Sequence, residues 1–278
     1  GSWSQSQDVD IFNESWGWDR TYDSLISTAY EAQWIAGTED LRGGKGAIYI
    51  KSSGNGFSTV AGTNCNTLWG SLNAGEHTCQ STNHDPDQTI PENISVGALD
   101  ATGYSSSYST GGSGVWVSAF GGEHGDTYPA MMTTDLAGCS AGYVKSGVSG
   151  ANAFNNQGNH SENSSCNYHS AFNGTSSAAP IVAGGVALIL EANSALTWRD
   201  VKHLLASTSD QVHANVGDRG ETVNGATLVV EPGWLTNAAG YKFHNWYGFG
   251  KMNVGAAVAA AKTMTANNLG TFTQSSWQ

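Results

Sequence analysis

Residues 173–194 read NGTSSAAPIVAGGVALILEANS, a knot of small residues running straight into a long apolar stretch. A helix apolar on nearly every side has to be enclosed, so the chain around it must build layers of structure. The sequence predicts this helix over 178–193, ended by Asn193-Ser194. Ala178, Ala179, Ala183, Gly184 and Gly185 allow neighbours to approach closely, and Pro180 is expected in the first turn, where a missing N–H is tolerated. Gly174 permits an unusual turn and the close approach of another chain. Ser176 opens the helix, so its N–H is one of the unpaired donors at the positive end. A hydroxyl placed there is either a helix cap or a nucleophile beside a ready oxyanion donor.

Around this helix, GAIYIKSS (46–53), ISVGALD (94–100) and VWVSAFGG (115–122) read as buried strands. Residues 24–36 carry Leu25, Ile26, Ala29, Trp34 and Ile35 at near-helical spacing. Thr197 with Asp200 makes a capping-box signal for a helix over 198–208. Asn224-Gly225 marks a hairpin, and a last helix is predicted over 253–262. Strands alternating with helices predict an α/β fold with a mostly parallel sheet, whose sites lie at the carboxyl ends of the strands. Both SSGNG and NGTSS fall at such ends. The tail 263–278 reads as a linker or the start of a following module.

A hydrophobic content of 39% supports a real core, while charged residues make up only 12%. Eleven Lys and Arg against 23 Asp and Glu leave a net charge of −12, which argues against nucleic acid as a partner. That charge suits an exported protein or a basic substrate. Pro180, Gly184 and Gly185 interrupt the longest apolar run, so no membrane span is expected, and the first residues lack a signal-peptide pattern. The four cysteines allow three pairings, and none lies in a CxxC that would suggest zinc. Cys65 and Cys79 flank one Gly/Asn-rich loop, and Cys139 and Cys166 flank another. Two local disulfides, Cys65–Cys79 and Cys139–Cys166, are the favoured pairing; four free thiols are the alternative.

The segment GTSSAAP (174–180) resembles the G-T-S-x-A-x-P serine signature of the subtilisin-like proteases. DIFNESWG (10–17) resembles the substrate-binding strand of that family, especially of its kexin/furin-like branch. IKSSGNG (50–56) resembles the strand and turn that present an oxyanion-hole asparagine. TTDL (133–136), LTWRDVKHLLASTSD (196–210) and WYGFGKMNVGAAV (246–258) are similar to kexin-like sequence in the same order. The resemblance implies a subtilisin-like α/β fold, with residues 1–262 forming the C-terminal part of the catalytic domain. It implies Ser176 as nucleophile, with its own N–H and the Asn55 amide as oxyanion donors. Ser15, Trp16 and Gly17 would pair with a peptide substrate as an added strand, with Ser53 and Gly54 beside it.

The same resemblance implies acidic residues that read Arg or Lys before the scissile bond, and structural calcium. Asp85 or Asp87 in CQSTNHDPDQ and Asp19 or Asp23 in WDRTYD, interrupted by Arg20, stand in those segments. Ordinary solvated loop aspartates are the alternative. No DxDxDG-type calcium loop is present, so the sequence names no metal ligands.

In this family the aspartate and histidine of the triad precede the SWG strand, in D-x-G and HGT motifs. Fourteen residues precede Ser15 here, and neither motif occurs. His169, the nearest in sequence, lies in the Cys166 loop, and His84 falls in the segment expected to line the specificity pocket. The expectation is a secreted serine endopeptidase whose Asp and His come from a separate N-terminal polypeptide, this chain alone being inactive. Its partners are then that polypeptide, a peptide or protein substrate, and a propeptide or inhibitor. The alternative is an inactive fragment that binds peptides or serves as a structural module.

Overall fold

Four strands, β1 (Ile11–Glu14), β2 (Ile48–Ser52), β3 (Asn93–Leu99) and β4 (Val115–Phe120), lie side by side in chain order, and every pairing is parallel. The structure is a computed structural model and describes residues 6–17, 28–60, 63–65, 77–147, 150, 152–156 and 159–270. Parallel strands need covered crossovers, so such a sheet is buried on both faces. All residues of β2 and β3 are buried accordingly. Alternation along the strands sends Ile48, Ile50, Ile94 and Val96 to one face, against Ala178, Val182, Val186 and Ile189 of helix α2 (Thr175–Ala192). On the other face Tyr49 and Ala47 meet Trp34 and Leu41 of α1 (Thr28–Gly44). The α/β architecture, a parallel sheet flanked by helices, is the one expected.

Three local expectations change. The helix predicted over 24–36 is observed from Thr28 and runs on to Asp40 before Leu41, Arg42 and Gly43 leave helical geometry. Residues 24–27 lie outside the described residues. Arg42, at φ 56°, turns its guanidinium to the carbonyls of Gly46 (3.0 Å) and Leu196 (3.1 Å), fixing the exit. Helix α2 starts at Thr175, so Pro180 sits in the second turn rather than the first. The carbonyl that a residue-180 N–H would have met belongs to Ser176, and the Ser15 hydroxyl donates to it instead at 2.9 Å. Finally, α2 is 18 residues long with a mean hydropathy of 1.4, so by length and composition it could cross a membrane. Its glycines do not interrupt it. A Cβ on Gly185 would lie 2.8 Å from Met252, so the glycine there permits close packing. Nine of its residues are buried, and it packs on the sheet and on helix α4 (Val254–Ala261) as the core helix of the fold.

Helix α3 (Trp198–Thr208) carries the predicted capping box: the Asp200 carboxylate accepts from Thr197 N–H and Oγ1, both at 2.8 Å. The same oxygen also accepts the N–H of Asn267 at 2.8 Å. Met264 and Ala266 pack against the main core, so the described end of the chain leans on α3. Strands β7 (Arg219–Val223) and β8 (Ala226–Glu231) form the predicted hairpin, with Asn224 and Gly225 both at positive φ. An antiparallel ribbon of β5 (Met131–Thr134) and β6 (Tyr168–Phe172) was not anticipated; it delivers the chain to Asn173-Gly174. Both favoured disulfides form, with Cα–Cα separations of 5.5 Å for Cys65–Cys79 and 5.1 Å for Cys139–Cys166.

Asp200 therefore closes a helix start and anchors the segment around Asn267. In the intact protein, Asp200→Ala should cost about 1.5–3 kcal/mol in denaturant unfolding, the cap plus the part-buried N–H groups it leaves without an acceptor. Thr197→Ala should cost about 1 kcal/mol. Equal losses for the two variants would show that the terminal segment does not depend on Asp200.

Candidate active site

Gly174, at φ 101° and ψ 161°, turns the chain from the β5–β6 ribbon into α2. Its N–H donates to the Tyr108 hydroxyl at 2.8 Å, and that hydroxyl donates to Gly122 O at 2.6 Å. Burial pushes the Tyr108 phenol up to about 12, so it stays neutral and holds both ends of this contact. A Cβ on Gly174 would stand 3.3 Å from Asn55 Nδ2 and 3.5 Å from Ser176 N, so these two donors converge beside one glycine.

Thr175 sets the direction of Asn55. Its N–H and its hydroxyl both donate to Asn55 Oδ1 at 2.9 Å, while Gly54 N–H donates to Thr175 Oγ1 at 3.1 Å. With the amide oxygen held twice, Nδ2 is turned away from it. Among the described residues neither Asn55 Nδ2 nor the Ser176 N–H makes a hydrogen bond. Gly54 stands at φ 111°, a conformation that favours glycine, and so permits this sharp presentation.

Ser176 and Ser15 bond reciprocally. Ser176 Oγ donates to Ser15 O at 3.1 Å, and Ser15 Oγ donates to Ser176 O at 2.9 Å. Beside this pair opens a cavity of ≈ 250 Å³. Trp16 and Gly17 line one side; Ser53, Gly54, Asn55, Thr175 and Ser176 line the next; Gln80, Asp85 and Gln88 line the last. Ser53 is buried and its hydroxyl donates to Thr110 O at 2.9 Å, so it acts on the wall rather than in the opening. Asp85 lines the cavity and also caps the short helical turn Pro86–Thr89 by accepting from Asp87 N–H at 3.1 Å. Asp87 does not line it. Its carboxylate is buried 3.6 Å from the ammonium of Lys51, which has no solvent exposure.

The sequence-predicted residues Ser15, Trp16, Gly17, Ser53, Gly54, Asn55, Asp85 and Ser176 are thus brought together, and Asp87 is set apart. Asp19, Arg20 and Asp23 lie outside the described residues. Lys51, Gln80, Gln88 and Tyr108 escaped sequence reasoning. For Lys51 a signal existed, a single charge inside the apolar run AIYIKSS. Burial raises the Glu14 carboxyl from its ordinary value, and Lys51 opposes that shift.

All eight histidines are described, and none hydrogen-bonds Ser176 or lines the cavity. His84 sits in the turn before Asp85, and His169 lies on β6 with its ring 5.2 Å from that of Tyr143. Among the described residues no group of three or more His, Cys, Asp or Glu could hold a metal ion. Calcium is also held by loop carbonyls, so these side chains name no site for it.

The model of the subtilase family matches residues 1–250. The extracellular serine protease of Aeromonas sobria is 35% identical over 274 residues, covering 94% of this chain and 42% of that protein. Human furin is 27% identical, covering 92% and 25%. The crystal structure of the A. sobria serine protease superposes with a TM-score of 0.82 at 34% identity, over 93% of this chain and 44% of that one. A second crystal structure contains that protease in complex with a chaperone, with the same TM-score at 33% identity, over 93% and 44%. The chain spans less than half the length of these relatives. A family match that takes in the SWG strand, the GNG turn and the GTS helix start together makes the chain a member of the subtilase family of serine peptidases.

Proposed function

We propose that this chain is the nucleophile-bearing part of a secreted serine endopeptidase. The observation that carries the reading is the convergence of the Ser176 hydroxyl with two unbonded N–H donors, Ser176 N and Asn55 Nδ2, on a cleft walled by residues 16–17. Ser176 Oγ attacks the scissile carbonyl and loses its proton to a histidine supplied, with its aspartate, by polypeptide preceding residue 1. The two donors receive the oxyanion. The amine leaves with the proton from the histidine, and water then hydrolyses the acyl-serine. The backbone of Ser15–Gly17 holds the peptide as an added strand.

Two surfaces support a docked N-terminal part. The outer edge of β1 has no strand partner among the described residues, and an unpaired edge invites another strand. Pro180, Ile181, Gly184, Ala187 and Leu188 form an exposed apolar stripe on α2 that starts one turn beyond Ser176. In this reading residues 1–262 form the C-terminal part of the catalytic domain, and 263–278 lead out of it after Met264, Ala266 and Asn267 have packed back on it. The two disulfides fit an oxidising compartment. Asp85 is the acid that reads Arg or Lys before the scissile bond. The chaperone complex of the A. sobria protease supports a folding or inhibitory partner for this chain too. Structural calcium rests on the family resemblance alone, and no catalytic step depends on it.

In the full-length protein, Ser176→Ala should abolish cleavage of a fluorogenic peptide. Asn55→Ala should lower kcat by about 10²–10³ with KM little changed, the cost established for a subtilisin oxyanion donor and not a figure obtained from this geometry. A KM effect alone would remove Asn55 from the oxyanion hole.

Matched peptides with Arg or Phe before the scissile bond test the specificity. Arg should be preferred, and Asp85→Asn should erase most of the preference. Faster cleavage of the Phe peptide by the parent protein would overturn the basic specificity.

A further inference from the structure

We propose that Lys51 is a positioning residue that sets both walls of the peptide-binding cleft, a role that rests on the endopeptidase reading above. Lys51 is the fourth residue of β2 and shares the Tyr49 face of the sheet, away from the α2 core. Its side chain has no solvent exposure. A buried ammonium persists only where partners replace its water. Its partners come from the two walls. Nζ donates to Trp16 O at 2.9 Å and stands 3.8 Å from the centroid of the Trp16 ring. It lies 3.7 Å from Glu14 Oε2, at the end of β1, and 3.6 Å from Asp87 Oδ2. Asp87 occupies the helical turn Pro86–Thr89, whose cap Asp85 and own residue Gln88 line the far side of the cavity.

One cation therefore ties the peptide-pairing strand to the segment that carries the specificity acid. Consecutive carbonyls of that strand accept from different donors: Ser15 O from the Ser176 hydroxyl and Trp16 O from the Lys51 ammonium. Because the peptide group is planar, holding Trp16 O also fixes the direction of the Gly17 N–H that a substrate would meet. The half-exposed Trp16 ring is held against the same cation, which keeps that wall upright. None of these contacts touches Asn55 or Ser176, so loss of Lys51 should weaken peptide holding far more than serine reactivity.

The test uses the full-length protein with Lys51→Met. A second variant combines Lys51→Met with Glu14→Gln and Asp87→Asn, removing the charges that the single change strands, so that a folded comparison exists even if the single variant unfolds. Affinity for an Arg-containing peptide is measured in a Ser176→Ala background. The rate at which a small fluorophosphonate modifies Ser176 is measured with the serine intact. Peptide affinity should fall about tenfold or more while the phosphonylation rate changes less than about threefold. In Lys51→Ala, added butylammonium should restore affinity and butanol should not.

Unchanged affinity in a folded variant, or phosphonylation falling in step with affinity, would overturn the role of Lys51. A parent protein that is neither phosphonylated nor binds the peptide would instead overturn the endopeptidase reading, and this role with it.

Discussion

A proline inside a helix leaves the carbonyl four residues back without its donor, and here that carbonyl belongs to Ser176. Such a proline costs about 3 kcal/mol when nothing compensates. The compensation comes from Ser15, whose hydroxyl fills the vacant position at 2.9 Å, while Ser176 returns its own hydroxyl to Ser15 O at 3.1 Å. The clasp joins residues 161 apart in sequence and sets the distance between the end of the edge strand and helix α2. The rest of the site follows from it. Once α2 is held at that height, Thr175 can reach Asn55 Oδ1 twice and the two free donors converge beside Gly174. A defect in a helix ladder has become the joint that sets residues 15–17 against Ser176.

The charges around the cleft follow a second constraint. Lys51, Glu14 and Asp87 are drawn beneath the walls, where each offsets another, and Asp85 is left facing the cavity. The opening itself is mostly uncharged, lined by glycine, serine, threonine, glutamine and asparagine with one half-exposed tryptophan. Such a lining suits a peptide backbone with one side chain read by charge, rather than an extended apolar ligand.

Much of this was legible in the chain because the informative residues are local. The capping box at Thr197, the Asn224-Gly225 turn and the GNG and GTS turns each depend on neighbours a few residues away, and each disulfide joins cysteines consecutive in the chain. What escaped depends on distant contacts. The start of α2 moved to Thr175 because Gly174 is held by Tyr108 and Asn55 by Thr175, ties that no window of sequence contains. Helix α1 outran its apolar spacing because Leu41, seven residues beyond Trp34, packs into the same cluster, and the polar stretch between them is carried along. Strands β5 and β6 are short and separated by the Cys139–Cys166 loop, so their alternation was invisible until they paired. Lys51 drew no reading of its own inside an apolar strand, because the groups that make its burial tolerable, Glu14, Asp87 and the Trp16 carbonyl, lie on other segments.

The central claim is that Ser176 and its oxyanion donors are assembled within this chain, while its base arrives from polypeptide that precedes it. The most direct test is the rate at which a fluorophosphonate modifies Ser176 in residues 1–278 alone and in the same residues joined to or mixed with the preceding part. Modification should map to Ser176 and be about 10³-fold or more faster when that part is present. Equal rates in the two samples would contradict the account, since a base within residues 1–278 would then be activating the serine.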